Sequence, residues 1–493
     1  MKKPAYERLS GLDQSFLHFE SPNCYMHVAL TTIFEAGSLA RPRGGIDIKR
    51  VRRYVASRLH LLPRYRQRLT YIPFVQDPVW IDDDRFELDY HVRHTHLPQP
   101  GTDRQLQTLC ARILERPLDR SKPLWETWFI EGLPGGRFAM LSKVHHCMVD
   151  GIAGVDLLAA LLTIAPHDQI GKPERWVPRP APPGRSMLGD DVMRRARASL
   201  DAVRRLPRWA EMAGADRADW MSRLSALWGL VRAGVQGAAD TPFNQPIGPH
   251  RRMDWLRFDL DEVKAVKNRL GGTVNDVVLA TVAGALRRFL ERRQAALDVD
   301  IRALVPVSTR TTDQRGVPGN RVSAWLAPLA VGERDPRVRY VRIRDKTSSY
   351  KENQQASGAQ MLTETADWTT SVALGLAVRL ISKVRAFNLI ITNVPGPQMP
   401  LYLLDAAMVG GYPHVPLFEN QGLGIALFSY AGHLNWGLVG DWDLMPDLHQ
   451  FHDHISAAFV ELREAAGLTG SAPDASRAEV TRRGPTRAVA QVA

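Results

Sequence analysis

Residues 137–151 read Arg137-Phe138-Ala139-Met140-Leu141-Ser142-Lys143-Val144-His145-His146-Cys147-Met148-Val149-Asp150-Gly151. The first eight residues have the pattern of a strand, and the run from Ile152 that of a buried helix. The two histidines therefore fall on a strand-to-helix turn, where a side chain can reach into a channel. An imidazole, with an ordinary pKa of about 6.5, is well matched to moving protons near neutral pH. Adjacent strand residues point to opposite faces, so His145 and His146 cannot do the same job. Asp150, four positions after His146, can brace the turn by pairing with an arginine, and Gly151 lets the backbone fold tightly there. A lone histidine at a strand end is usually a core residue. The combined His-His-x-x-x-Asp-Gly unit points to chemistry.

The rest of the chain sets bounds on that chemistry. Its 493 residues, 44% of them hydrophobic, are enough for two sizeable domains. Three cysteines, Cys24, Cys110 and Cys147, do not make a disulfide framework, which fits a reducing cytosol. Lys2 and Lys3 are not followed by an apolar run, so no secretory signal is read. The best apolar stretches, Ile152 to Ala165 and Ser371 to Val378, are cut by Asp156 and Arg379, short of a spanning helix. The expectation is a cytoplasmic protein, soluble or peripheral.

The net charge of +12 calls for an anionic partner. Much of the excess lies at Arg194, Arg195, Arg197, Arg204, Arg205 and Arg208, and in the tail at Arg477, Arg482, Arg483 and Arg487; both regions read as mobile. Zinc-finger and RNA-binding signatures are missing, so nucleic acid is the least supported partner.

Strands are expected at Val75 to Trp80, Leu88 to Val92, Trp125 to Ile130 and Phe138 to Val144, with Pro134-Gly135-Gly136 joining the last two. A helix over Leu106 to Arg116 stops at Pro117. Prolines 166, 173, 178, 180, 182 and 183 mark an extended linker. Two basic amphipathic stretches follow, about 187–210 and 217–236, with Trp209, Trp220 and Trp228. They read equally as a surface connector or as a membrane-facing pair. Further on, Asp261 to Leu270 reads as a helix closed by Gly271 and Gly272. Thr273 caps another, in which Asp276 completes a capping box. Leu304 to Val307, Ala386 to Val394 and Gly424 to Tyr430 read as buried strands. A last helix follows Pro446, burying Leu448, Phe451, Ile455, Phe459 and Leu462. His449, His452 and His454 fall mostly on its polar face and read as solvated rather than as a metal cluster. The domain reading is 1–165, a linker over 166–250, 251–467, and a disordered tail over 468–493.

Several segments together resemble one family. The heptapeptide His145–Gly151 is similar to that of the CoA-dependent acyltransferase superfamily. Pro123-Leu124-Trp125-Glu126 ahead of Glu131-Gly132-Leu133, and Asn275-Asp276-Val277-Val278-Leu279-Ala280, resemble signatures of its bacterial wax ester synthase/acyl-CoA:diacylglycerol acyltransferase branch. Gly11-Leu12-Asp13-Gln14-Ser15-Phe16, Pro306-Val307-Ser308-Thr309-Arg310 and Asn393-Val394-Pro395-Gly396-Pro397 match in order. The likeness covers most of the chain, is weak over about 166–240 and is lost in the tail.

The resemblance implies an α/β fold (an α+β sandwich) of two chloramphenicol-acetyltransferase-like lobes, with a channel between them and a helical linker. It implies His146 as general base, taking the proton from an acceptor hydroxyl that attacks the acyl-CoA thioester. Asn275 is the implied oxyanion donor. His145, Asp150 and Gly151 complete the motif, Asp150 as an orienting residue. Pro123, Leu124 and Trp125 are the substrate-binding candidates, with Trp125 as core or channel lining. No cofactor or metal is implied, since acyl-CoA is a co-substrate, and Cys147 is discounted as a nucleophile. The implied partners are acyl-CoA, a diacylglycerol or fatty alcohol acceptor, and a lipid surface. Two rival readings are a condensation enzyme fed by a carrier-protein thioester and a catalytically silent lipid-droplet protein.

Overall fold

The computed structural model describes residues 5–42, 44–148, 155–197, 237–308, 322–357 and 386–468. The strand Arg137–His145 lies inside a seven-stranded sheet. In spatial order the strands are Val92–His96, Trp125–Leu133, Arg137–His145, His27–Glu35, Ala406–His414, Tyr402–Leu403 and Leu162–Thr163. The Trp125–Leu133/Arg137–His145 hairpin closes through Gly135 and Gly136, at φ 75° and 69°. This left-handed backbone suits glycine, and the turn is the one the sequence predicts.

A second sheet has six strands, in the order Val322–Leu329, Ile301–Ser308, Leu389–Pro395, Leu423–Tyr430, His433–Asp441 and Arg251–Asp259. The helices Val274–Arg292, Pro336–Ser357 and Leu448–Ala465 pack together against it. The capping box at the first of these is present. Thr273 N donates to Asp276 Oδ2 at 2.7 Å and Asp276 N to Thr273 Oγ1 at 3.3 Å. In the last helix Leu448, Phe451, Ile455, Phe459 and Leu462 are all buried, as its 3.6-residue pattern requires.

The second half of the chain does not stay in one lobe. Tyr402–Leu403 and Ala406–His414 leave it and enter the first sheet, where Ala406–His414 pairs antiparallel with His27–Glu35. The crossing is tight, since a Cβ on Gly437 would lie 1.7 Å from the Pro413 carbonyl oxygen. A shared core seals the junction, with Met26, Ile33 and Leu141 from the first half packed with Met253, Trp255 and Leu417 from the second.

Some local expectations change. Residues 75–77 belong to a turn, and the strand there is Pro78–Asp82 in a small sheet with Glu7–Arg8 and Gln67–Tyr71. Leu88–His91 is one helical turn and the strand begins only at Val92. That turn lays His91 on the Trp125 ring, with centroids 4.6 Å apart; tertiary packing overrides the local strand pattern. The proline-rich stretch is extended, but it is strapped down. Arg179 donates to Asp82 through its backbone N, Nε and Nη2, at 3.0, 3.0 and 2.9 Å. Residues 184–197 are helical. Arg194 and Arg195, expected to be mobile, are held by Asp77 and Asp191. The remainder of both amphipathic stretches and most of the tail lie outside the described residues.

Candidate active site

The strand Arg137–His145 delivers the histidine pair, and the chain turns at once into a short 3-10 segment, His146–Met148. Three hydrogen bonds and a strand register fix this turn. His145 N donates to the Leu124 carbonyl at 3.0 Å, and His146 N to the Met26 carbonyl at 2.8 Å. Across the sheet His145 is in register with His27. Cys147 N donates to His145 Nδ1 at 3.1 Å.

The two imidazoles have different surroundings. His145 is buried, with 1% of its surface exposed. Because its Nδ1 accepts from Cys147, its Nε2 carries the proton and faces Glu20 Oε1 at 3.1 Å. Glu20 also accepts from Met26 N at 2.9 Å and from Arg120 Nη2 at 2.5 Å. Although burial acts to raise it, the His145 and Arg120 partners hold the Glu20 carboxyl below its usual range. With both ring nitrogens engaged, His145 is an anchor.

His146 is half-buried, and its ring stacks on Phe16, with centroids 3.9 Å apart and 22° between planes. Its Nδ1 is shut off from solvent, with no partner beyond its own residue among the described residues. Burial pushes its pKa down to about 4, so the ring is neutral at physiological pH. Phe16 projects from the helix Gly11–His18, which Ser10 caps by accepting from Asp13 N at 3.1 Å. The Gly11–Phe16 motif therefore forms one wall of the histidine site.

Pro123-Leu124-Trp125 lies one layer behind. Leu124 is fully buried and its carbonyl fixes His145. Trp125, 1% exposed, donates from Nε1 to the Tyr65 carbonyl at 2.8 Å and stacks on His91, whose Nδ1 meets the Trp125 carbonyl at 2.7 Å. Burial lowers the His91 pKa to about 4, which keeps that ring neutral. Named as substrate-binding candidates, Leu124 and Trp125 are found in the core, the first of the two places read for Trp125, where they brace the turn. Tyr65 and Met148 do reach open space. Together with Leu61, Leu62, Pro63, Arg64, Ala159 and Ala160 they line a cavity of about 430 Å³, built wholly from the first half of the chain. A larger cleft of about 840 Å³ lies between Leu297–Asp300, Pro328–Arg334 and the helix Pro336–Ser357, away from the histidines.

Asn275 sits half-buried in the first turn of the helix Val274–Arg292. The described partners of the histidines are Glu20, Met26, Leu124, Cys147, Phe16 and His27, and Asn275 is not one of them. Asp150 and Gly151 lie outside the described residues, as do Thr309 and Arg310. Pro395-Gly396-Pro397 makes the expected turn; a Cβ on Gly396 would fall 2.4 Å from Phe428 and from the Ser429 carbonyl oxygen. Cys147 is buried and its thiol is held well above its ordinary pKa by burial, which disfavours a thiolate. Among the other histidines, His452 Nδ1 pairs with Asp254 at 3.3 Å and His449 is exposed; no metal-binding group occurs among the described residues.

Likenesses in sequence and in structure bear on this site. The profile of the wax ester synthase/diacylglycerol acyltransferase catalytic domain matches residues 9–278, and that of the family's C-terminal domain matches 318–463. The chain belongs to the wax ester synthase/diacylglycerol acyltransferase family. A putative diacylglycerol O-acyltransferase of Mycobacterium tuberculosis is 35% identical over 477 residues, covering 94% of this chain and 91% of its own length. A second from the same organism is 35% identical over 93% of this chain and all of its own length. In structure, the wax ester synthase/diacylglycerol acyltransferase from Marinobacter aquaeolei superposes with a TM-score of 0.69 at 26% identity, over 94% of this chain and 100% of that one. The starter condensation domain of rhizomide synthetase matches with a TM-score of 0.53 at 12% identity, over 94% and 95%, and shows the shared fold alone. The family's catalytic profile spans the Phe16 helix, the histidine turn and the start of the Asn275 helix, so these elements form one family unit.

Proposed function

We propose that this family member transfers a long-chain acyl group from acyl-CoA to the hydroxyl of diacylglycerol or of a long-chain alcohol, with His146 as general base. The observation that carries the assignment is the neutral His146 ring, stacked on Phe16 at the end of a rigidly bonded strand. A neutral imidazole can accept the hydroxyl proton as the oxygen attacks the thioester carbonyl. A C–O bond forms, the carbonyl oxygen takes up the electron pair, and its collapse expels the CoA thiolate. The imidazolium then returns its proton to that sulfur, so the ring ends neutral. Asn275, at the positive end of its helix, is the proposed donor to the oxyanion, and such a donor is typically worth about 3–4 kcal/mol. Asp150 is assigned an orienting role by its place in the motif.

The 430 Å³ cavity beside Met148, where Leu61, Leu62, Ala159 and Ala160 face Arg64 and Tyr65, is the proposed seat for part of the acyl or acceptor chain. Acceptors of this kind reside in membranes and inclusions. A net charge of +12 suits both the phosphates of CoA and an anionic lipid surface. No helix among the described residues is long and apolar enough to cross a membrane, which favours peripheral attachment. The condensation-type alternative has only the shared fold behind it. The test offers the purified protein palmitoyl-CoA with either dioleoylglycerol or hexadecanol and follows free thiol and ester together. Thiol release that needs an acceptor supports the reading. Failure with both acceptors, or equal release without any, contradicts it.

A further inference from the structure

We infer that the turn between strands Gln67–Tyr71 and Pro78–Asp82, with the helix over 184–197 laid along it, is a docking finger for anionic lipid bilayers, and that Phe74 is its tip. This rests on the proposed lipid-surface setting but not on the acyl-transfer chemistry.

Phe74 is 89% exposed, the most exposed large hydrophobic residue among those described. Its backbone has a φ of 64°, in the left-handed region that bulky side chains rarely adopt. A glycine or asparagine would occupy that position with less strain. An apolar ring held there against both solvation and backbone preference points to a use outside the monomer.

The finger is rigid. Ile72 N donates to the Asp77 carbonyl at 3.0 Å, Gln76 N to the Ile72 carbonyl at 2.9 Å, and Val75 N to the Pro73 carbonyl at 2.8 Å. Ile72 is fully buried in a small core with Tyr6, Val79, Ile81 and Met187, against which Val75 and Leu188 pack. The neighbouring apolar residues of the turn are thus anchored inward while Phe74 stands out.

The helix over 184–197 is fixed along this turn at three points. Gly184 lies against Pro73, Met187 enters the small core, and Arg195 Nη2 bonds Asp77 Oδ2 at 2.7 Å. Its outer surface adds Val192 at 56% and Met193 at 55% exposure. The same helix carries Arg185, Arg194, Arg195 and Arg197 against Asp190 and Asp191. Asp191 is fully buried and spent on Arg8, Arg194 and Arg195. An exposed ring and two exposed apolar side chains beside the exposed Arg185 and Arg197 match a headgroup region that is apolar below and anionic above.

The experiment is flotation of the full chain with phosphatidylglycerol-containing vesicles, and with vesicles of phosphatidylcholine alone. Phe74→Gly suits the turn, so its thermal midpoint should equal or exceed that of the wild type and a folding defect cannot be blamed. We expect wild type to float with the anionic vesicles and much less with the neutral ones. We expect the partition coefficient of Phe74→Gly to fall about ten- to a hundredfold, the effect of withholding one phenyl ring from an apolar phase. Arg185→Gln/Arg197→Gln should lose the preference for phosphatidylglycerol. Activity of Phe74→Gly on a short soluble thioester and alcohol should stay at the wild-type level. Wild type that fails to float, or equal flotation of wild type and Phe74→Gly, overturns the proposal. Loss of acyl transfer with flotation intact would instead count against the catalytic reading alone.

Discussion

Phe16→Ala should move the acid limb of the pH–activity profile. In the wild type the His146 pKa lies at about 4 against an ordinary 6.5, because the ring is buried. That fall corresponds to about 3 kcal/mol favouring the neutral form. An imidazolium facing the Phe16 ring would recover only about 0.5–1 kcal/mol through the ring face, so burial dominates. Removing the ring, 3.9 Å away, admits water and lets the pKa climb towards 6.5. The sign follows from the requirement for neutral imidazole: activity is kept above the folded-state pKa and lost below it. At about pH 5 the wild type is roughly nine-tenths neutral, whereas a fully relaxed variant is only about 3% neutral, a deficit of roughly thirtyfold. At about pH 8 both are neutral, and only loss of ring orientation remains. The assay is initial thiol release across about pH 4.5–8.5 at subsaturating acyl-CoA, so that free-enzyme ionisation is read. An unmoved acid limb in Phe16→Ala, or a wild-type limb centred near 6.5, would refute the link between stacking, burial and a neutral base.

Other outcomes follow from the same structure. His91 and His414, both 1% exposed, have pKa values lowered by burial to about 4 and about 3. The unfolded chain binds protons first as pH drops below 6.5, so stability should fall by several kcal/mol between about pH 6.5 and 4. His414→Gln should flatten that loss in urea titrations; an unchanged slope contradicts it. Trp125→Ala removes a buried indole, its bond to Tyr65 and its His91 stack, and should cost about 3–5 kcal/mol by denaturant unfolding; a cost below about 1 kcal/mol would deny the bracing role. Arg179→Ala strips the two side-chain hydrogen bonds from Asp82 and keeps the backbone one, so the Asp82 pKa should climb from about 2. Because the arginine is 41% exposed, the expected loss is only about 1–2 kcal/mol, and it should shrink in an Asp82→Asn background. Gly437→Ala forces a Cβ onto the Pro413 carbonyl and should destabilise by about 1–3 kcal/mol or more, with early protease cleavage near Ala406–His414. Wild-type protease resistance would show that the strand crossing tolerates separation.

Where the sequence pattern was strong and local, it matched the structure. The hairpin around Gly135 and Gly136, the capping box at Thr273 and the apolar stripe of the last helix rest on short-range rules of turn chemistry and periodicity. The site was legible through the motif residues, yet their grouping was not. Phe16 belongs to a recognisable motif, but no local pattern tells that its ring meets His146. Glu20 carries no marker of its own; its role arises only when the fold brings it to His145 and Arg120. Ala406–His414 contains Gly410, Gly411 and Pro413, residues that read against a strand. It becomes one by pairing with His27–Glu35, nearly 400 residues earlier in the chain. Leu88–His91 looked extended and became a helical turn because His91 is claimed by Trp125. Trp125 reads as core or channel lining, and its burial against His91 and Tyr65 decides for the core; an aromatic in a motif reads alike in both places.

The central claim is that the His146 ring removes the acceptor proton. Single-turnover thiol release from palmitoyl-CoA, with hexadecanol and the His146→Gln variant beside wild type, tests it most directly. The account predicts a loss of about a hundredfold or more in ester and thiol together, with acyl-CoA binding and thermal midpoint retained. Ester formation in His146→Gln within a few-fold of wild type would contradict it.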